Sequence, residues 1–96
     1  MSTGSAAQAR STADPALVAE FRAYLAELSE GKLSADAIDP GSHLFDFGYV
    51  DSLSAVLFTA HLEERYGVRI EEVDLLERFT TLEAVAVHVA ESRRPA

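Results

Sequence analysis

One serine stands at a junction in this chain. Gly48-Tyr49-Val50-Asp51-Ser52-Leu53 closes a stretch rich in Gly, Pro and Asp and opens an apolar-periodic run. A helix N-terminus is expected there. A serine at that place is exposed and faces the positive end of the helix dipole, so an anionic group attached to it is favoured. Ser52 therefore reads as an attachment point. Asp51-Ser52-Leu53 is also what a plain helix cap looks like, so the tripeptide needs support from its context.

Two other chemistries compete for the same residues. Ser52 with His43, His61 or His88 would have the residue types of a hydrolase triad. His61 follows by nine positions, more than two helical turns at about 3.6 residues each, and so is out of reach along one helix. The strained Gly-x-Ser-x-Gly turn that exposes a nucleophile is absent. The histidines read as surface or packing residues. Asp39, Asp46 and Asp51 could be metal ligands, but they lack the spacing of a calcium loop and its closing Glu. Turn formation and capping account for them.

Composition narrows the classes further. Ninety-six residues with 48% hydrophobic content make one small domain. With no Trp and 8% aromatics, its core must be mainly Leu, Val, Ala and Phe. There is no Cys, which excludes a disulfide framework, Cys-ligated zinc and a cysteine nucleophile, and leaves any thiol chemistry to a cofactor. The net charge of −8 makes nucleic acid and anionic membranes poor partners and a basic protein a better one. No run approaches the ~18 apolar residues of a membrane span, and no apolar signal core is present. One Arg among Ser and Ala is too little for a transit peptide, so cytoplasmic residence as a monomer is expected.

The elements that must position Ser52 follow from periodicity. Met1 to Ala13, small and polar apart from Met1, reads as a disordered tail. The domain is expected over residues 14–93. Asp14-Pro15 starts a helix to about Glu30, with Leu17, Val18, Phe21, Tyr24, Leu25 and Leu28 as its stripe and Gly31 as its stop. Residues 32–50 form a long connection with a turn at Asp39-Pro40-Gly41-Ser42. Its Leu33, Ile38, Leu44, Phe45 and Phe47 are expected to be pinned onto the helices, with a short helical turn near Ser34 to Ile38. A second helix runs from Ser52 to Tyr66, capped by Asp51 and ended by Gly67. Leu53, Val56, Leu57 and Ala60 give it helical spacing. Phe58, Leu62 and Tyr66 widen the apolar arc, so this helix is expected to be the most contacted. Val68 and Ile70, without a partner strand, read as extended connection. Glu71 to Arg78 gives a short helix, with Val73, Leu75 and Leu76 as its contacts. Thr80 and Glu83 form a capping box for a last helix along Leu82, Val85, Ala86 and Val89, ended by Arg93-Arg94-Pro95. The fold class is all-α: three main helices plus one short helix in a four-helix bundle with a long first loop.

From Asp51 to Glu83 eight acids (Asp51, Glu63, Glu64, Glu71, Glu72, Asp74, Glu77, Glu83) face Arg65, Arg69 and Arg78. Charge runs are usually a solvated face. Beside an attachment site, the same run becomes a docking surface for basic enzymes.

Three separated motifs now carry a resemblance. Leu44-Phe45-Asp46-Phe47-Gly48-Tyr49-Val50-Asp51-Ser52-Leu53, then Leu62-Glu63-Glu64-Arg65-Tyr66-Gly67-Val68-Arg69-Ile70, then Phe79-Thr80-Thr81-Leu82 resemble, in order and spacing, the acyl carrier protein family. The resemblance spans about Leu44 to Val89; the first helix fits in kind, without a motif. It implies a four-helix bundle that catalyses nothing. It implies that a phosphopantetheinyl transferase, with magnesium, moves 4'-phosphopantetheine from coenzyme A onto Ser52. The thiol of that arm then holds an acyl or aminoacyl group as a thioester for loading enzymes, synthases and tailoring enzymes. Asp51 and Leu53 would be read by the transferase, and Glu63 and Glu64 match partner-facing acids.

The sequence departs from the family pattern at Ser54 and Leu57, which match positions often acidic in fatty-acid carriers. A hydroxyl and an apolar residue there make the surface beside Ser52 less acidic. Ser54 and Leu57 thus join the expected partner-recognition residues, and the tilt is toward specialised polyketide-type biosynthesis. An aminoacyl or peptidyl carrier, a fatty-acid carrier and, outside the family, a small helical interaction domain are the rival readings.

Overall fold

The computed structural model describes residues 13–92. Four α-helices follow in order: α1 (Pro15–Leu28), α2 (Ser52–Tyr66), α3 (Glu72–Glu77) and α4 (Leu82–Ser92), with a 3-10 turn at Ala35–Ala37 between α1 and α2. No strand occurs among the described residues, so the bundle is all-helical with one short member. The expected tail, except Ala13, and the Arg93-Arg94-Pro95 stop lie outside the described residues.

α1 begins where Asp14 and Pro15 place it. The Asp14 carboxylate accepts the Ala16 N–H at 2.9 Å and Pro15 fills a position whose N–H would be idle. The helix ends two residues earlier than expected. Ser29 caps it, its hydroxyl donating to the Ala26 carbonyl at 2.7 Å. Glu30 (φ 56°) and Gly31 (φ 91°) then turn the chain through the left-handed region. The inner face of α1 buries Leu17, Val18, Phe21 and Leu25.

The connection between α1 and α2 is held at several points, which is why so long a segment is ordered. Arg22 Nε donates to the Ala35 carbonyl at 3.0 Å. The Asp39 N–H donates to the Tyr49 hydroxyl at 3.1 Å. The Leu44 N–H donates to the Thr80 carbonyl at 2.7 Å, and the Leu44 carbonyl accepts from Tyr49 and Val50 at 2.9 and 3.2 Å. Ile38, Leu44 and Val50 are driven into the core, while Leu33 and Phe45 pack against its edge. Phe47 breaks the expectation: it is 62% exposed and stacks on Tyr49, ring centroids 6.0 Å apart. Its partner is another loop residue rather than a helix.

α2 corrects the expected apolar face. The buried residues are Ala55, Phe58 and Leu62. Leu53, Val56 and Leu57 are 69, 44 and 41% exposed, and Ala60 is exposed too. Both sets follow helical spacing, so periodicity alone could not choose between them; the packing of α2 on α1 and α3 does. α2 is not the most contacted helix. α1 packs against the 3-10 turn, α2 and α4, while α2 packs on α1 and α3. Phe21 of α1 meets Phe58 edge-on at 5.5 Å, and Tyr66 at 6.1 Å. Such edge contacts are each worth about 0.5–1.5 kcal/mol beyond burial.

Gly67 ends α2 at φ 70°, its N–H donating to the Glu63 carbonyl. Val68 and Ile70 lie outside any helix or strand and are both 4% exposed. In α3 only Leu75 of the three expected contacts is buried; Val73 and Leu76 are 49 and 47% exposed, since a helix of six residues presents only one turn to the core. α4 starts one position later than expected. Thr81 rather than Thr80 caps it, its hydroxyl accepting the Ala84 N–H at 3.1 Å. Thr80 instead holds Leu44, and the Glu83 N–H donates to the Pro40 carbonyl at 3.0 Å. α4 buries Leu82, Val85, Ala86 and Val89, the expected stripe.

Candidate attachment site

Ser52 is the first residue of α2 and is exposed. Its hydroxyl has no hydrogen-bond partner among the described residues. Two devices put it there. Gly48, at φ 73°, takes the left-handed conformation that lets the loop turn back toward Leu44. Asp51 then closes a reciprocal cap: its Oδ1 accepts the Ser54 N–H at 2.9 Å, and Ser54 Oγ accepts the Asp51 N–H at 2.8 Å. Ser52 is bracketed by this cap and stays outside it.

The Asp51 carboxylate is held below its ordinary range, first by the Ser54 N–H and then by the Ser54 hydroxyl. It is thus an anion beside Ser52. It also takes up part of the amide set at the helix start, so a phosphodiester on Ser52 has less of that set than an uncapped helix end would offer. The exposed, unengaged hydroxyl fits a covalent phosphopantetheine, and that group would supply the thiol that this cysteine-free chain lacks.

The other expected site residues divide. Leu53, Leu57 and Glu64 lie at four- and seven-residue steps on one exposed face of α2 leading away from Ser52. The Ser54 hydroxyl serves the cap. Glu63 is exposed but lies 3.8 Å from Arg69, so its charge is partly compensated. The histidines are engaged elsewhere. His43 Nδ1 accepts the Phe45 and Asp46 N–H groups at 3.2 and 3.3 Å. His61 stacks on Tyr24 at 4.0 Å and His88 on Phe79 at 4.3 Å. None is bonded to Ser52, and no metal-ligating cluster occurs among the described residues. Asp39 serves its turn, accepting from the Gly41 N–H and the Ser42 hydroxyl.

Sequence reasoning missed a cleft beside the serine. A space of about 380 Å³ opens between the end of α1, the Glu30–Lys32 turn and the start of α2. Leu25, Leu28, Leu33 and Val50 line it together with Asp51, Leu53, Ser54 and Leu57. The signal was the two successive left-handed residues after α1, which only Gly31 announces in the sequence.

Comparison with known proteins agrees with this geometry. The family described as "Phosphopantetheine attachment site" matches residues 19–89. An acyl carrier protein of Streptomyces coelicolor (strain ATCC BAA-471 / A3(2) / M145) is 36% identical over 83 residues, covering 85% of this chain and 88% of the relative. No solved structure matches. The chain belongs to the phosphopantetheine-binding carrier family. It is therefore a carrier of covalent 4'-phosphopantetheine and not a catalyst, and its family works with phosphopantetheinyl transferases and acyl-handling enzymes. No described helix is long and apolar enough to cross a membrane.

Proposed function

We propose that Ser52 Oγ is the point of phosphopantetheine attachment and that the arm holds acyl intermediates of a specialised, polyketide-type pathway as thioesters. One observation carries the site: Ser52 is exposed, unbonded and first in α2, within the residues that match the family. In the transfer the serine oxygen forms a bond to the phosphorus bearing the arm, the phosphoanhydride of coenzyme A breaks, and the nucleotide half leaves. Asp51 contributes the fixed cap and a local charge; Leu53 offers an apolar contact to the transferase.

The pathway reading rests on Leu57. It is 41% exposed where fatty-acid carriers often have an acid, so beyond Asp51 the exposed face of α2 begins apolar, at Leu53 and Leu57, and turns acidic at Glu64. Ser54 supports that reading less. As a hydroxyl at the third helical position it fills the capping role that a Glu often fills. The test is the mass of the thioester on protein purified from its native host. A poly-β-keto acyl group, with its ketones unreduced, is expected. An aminoacyl group would transfer the assignment to peptide-type synthesis, and a saturated chain would transfer it to fatty-acid synthesis.

A further inference from the structure

We propose that His43 is a positioning residue for the modification of Ser52: its neutral imidazole, with no proton on Nδ1, caps the turn that carries the chain to Asp51 and Ser52. The inference rests on Ser52 being the attachment point. His43 Nδ1 accepts the Phe45 and Asp46 N–H groups at 3.2 and 3.3 Å. The His43 carbonyl accepts the Phe47 N–H at 3.1 Å, and the Gly48 N–H donates to the Phe45 carbonyl at 3.1 Å. A side chain that accepts from the amides two and three residues on, beside a carbonyl that accepts from the fourth, has the arrangement of a helix N-cap. Ser, Thr, Asp or Asn usually fills that role. Here a ring nitrogen fills it, and it accepts only while it carries no proton. Asp46 Oδ1 lies 3.8 Å from the same nitrogen, beyond hydrogen-bond reach, so the two amides are its partners.

The turn is joined to the start of α2 through the backbone. Leu44, next to His43, donates its N–H to the Thr80 carbonyl at 2.7 Å, and its own carbonyl accepts from Tyr49 and Val50 at 2.9 and 3.2 Å. These bonds close the segment into a loop whose far end is Val50, buried and directly before Asp51. The cap fixes the residues between the two ends. Without it the Phe45 and Asp46 N–H groups turn to water, the turn samples other conformations, and Ser52 is presented correctly for only part of the time. A partner that needs one presentation then binds with an affinity reduced by that fraction, while reaction in the bound complex is unchanged. His43 is not bonded to Ser52 and acts through the loop.

The test has two parts. In the apo protein at about pH 8, above the range in which a histidine usually takes up its proton, 15N-resolved NMR of the His43 ring should show the proton on Nε2 and none on Nδ1. In steady-state modification by a broad-specificity phosphopantetheinyl transferase with coenzyme A and magnesium, His43→Ala should raise KM for the carrier by up to about fivefold, the factor that a lost cap of about 1 kcal/mol corresponds to, and leave kcat unchanged. His43→Asn, whose amide oxygen accepts the same N–H groups without titrating, should restore KM. A proton on Nδ1, a His43→Ala change in kcat alone or in neither constant, or a His43→Asn variant as impaired as His43→Ala overturns the inference and leaves the attachment site standing. Where His43→Ala does not fold, the ring proton of the wild type and the KM of His43→Asn decide. Folded wild-type protein that takes up no arm overturns the attachment reading and this inference with it.

Discussion

At the scale of single residues, Ser52 is available because its neighbours are engaged. Asp51 and Ser54 satisfy each other, and the serine two positions before Ser54 has nothing to bind. Ser54→Ala removes one half of that cap and should cost about 0.5–1.5 kcal/mol in chemical denaturation. Ser54→Glu, which can reach back to the same N–H, should recover most of the loss. A Ser54→Glu variant no more stable than Ser54→Ala would show that the hydroxyl is not acting as a cap. Glu20 gives a second residue-scale test. The Tyr66 hydroxyl donates to it, Arg65 lies at 3.2 Å and His61 at 3.8 Å. Its carboxyl is lowered from 4.5 chiefly by the Tyr66 hydrogen bond, then opposed by burial and helped by Arg65. A depressed carboxyl stabilises the fold above its unfolded value, and that stability is lost as pH falls through the folded value, so the window lies below pH 4.5. Glu20→Gln should flatten the acid limb of the stability curve there and change its slope little at neutral pH. An unchanged acid limb would contradict the assignment.

At the scale of elements, α2 has two apolar faces with different duties. Phe58 is fully buried against Phe21, and Phe58→Ala should cost about 3–5 kcal/mol, a large part of the about 5–15 kcal/mol that holds a small domain together. Leu53 is 69% exposed, and Leu53→Ala should change stability by no more than about 0.5 kcal/mol while slowing modification by the transferase. Thermal melts together with the modification rate check both halves. A Leu53 variant that melts early would put that side chain in the core. These two faces also mark what the sequence could and could not disclose. Caps and stops were legible because they are local chemistry: Asp14-Pro15, Asp51 and Gly67 act within a few residues. The burial of Ala55, Phe58 and Leu62 over Leu53, Val56 and Leu57 was not, because both sets share one period and only the packing of α1 and α3 distinguishes them. Thr81 displaced Thr80 as the cap of α4 for a similar reason, since the Thr80 carbonyl is taken by Leu44 from a distant loop. Val73 and Leu76 were read as contacts that so short a helix cannot make.

At the scale of the molecule, a long loop is stitched to α1 and to the start of α4, and it delivers Ser52 to one end of the bundle. The family was readable from three motifs in order. The cleft was not, because it is made by the ends of elements brought together by the loop. The net charge of −8 works against compactness through self-repulsion. Raising ionic strength from about 0.01 M to about 0.15 M shortens the screening length from about 30 Å to about 8 Å and should raise Tm. A fall in Tm over that range would mean that ion pairs such as Arg65–Glu20 outweigh the repulsion. The central claim is that this bundle exists to present one modifiable serine. Its most direct measurement is intact mass after incubation with coenzyme A, magnesium and a broad-specificity phosphopantetheinyl transferase. A gain of one phosphopantetheine is expected on the wild-type chain and none on Ser52→Ala. No gain by folded wild-type protein, or a gain that survives Ser52→Ala, would contradict it.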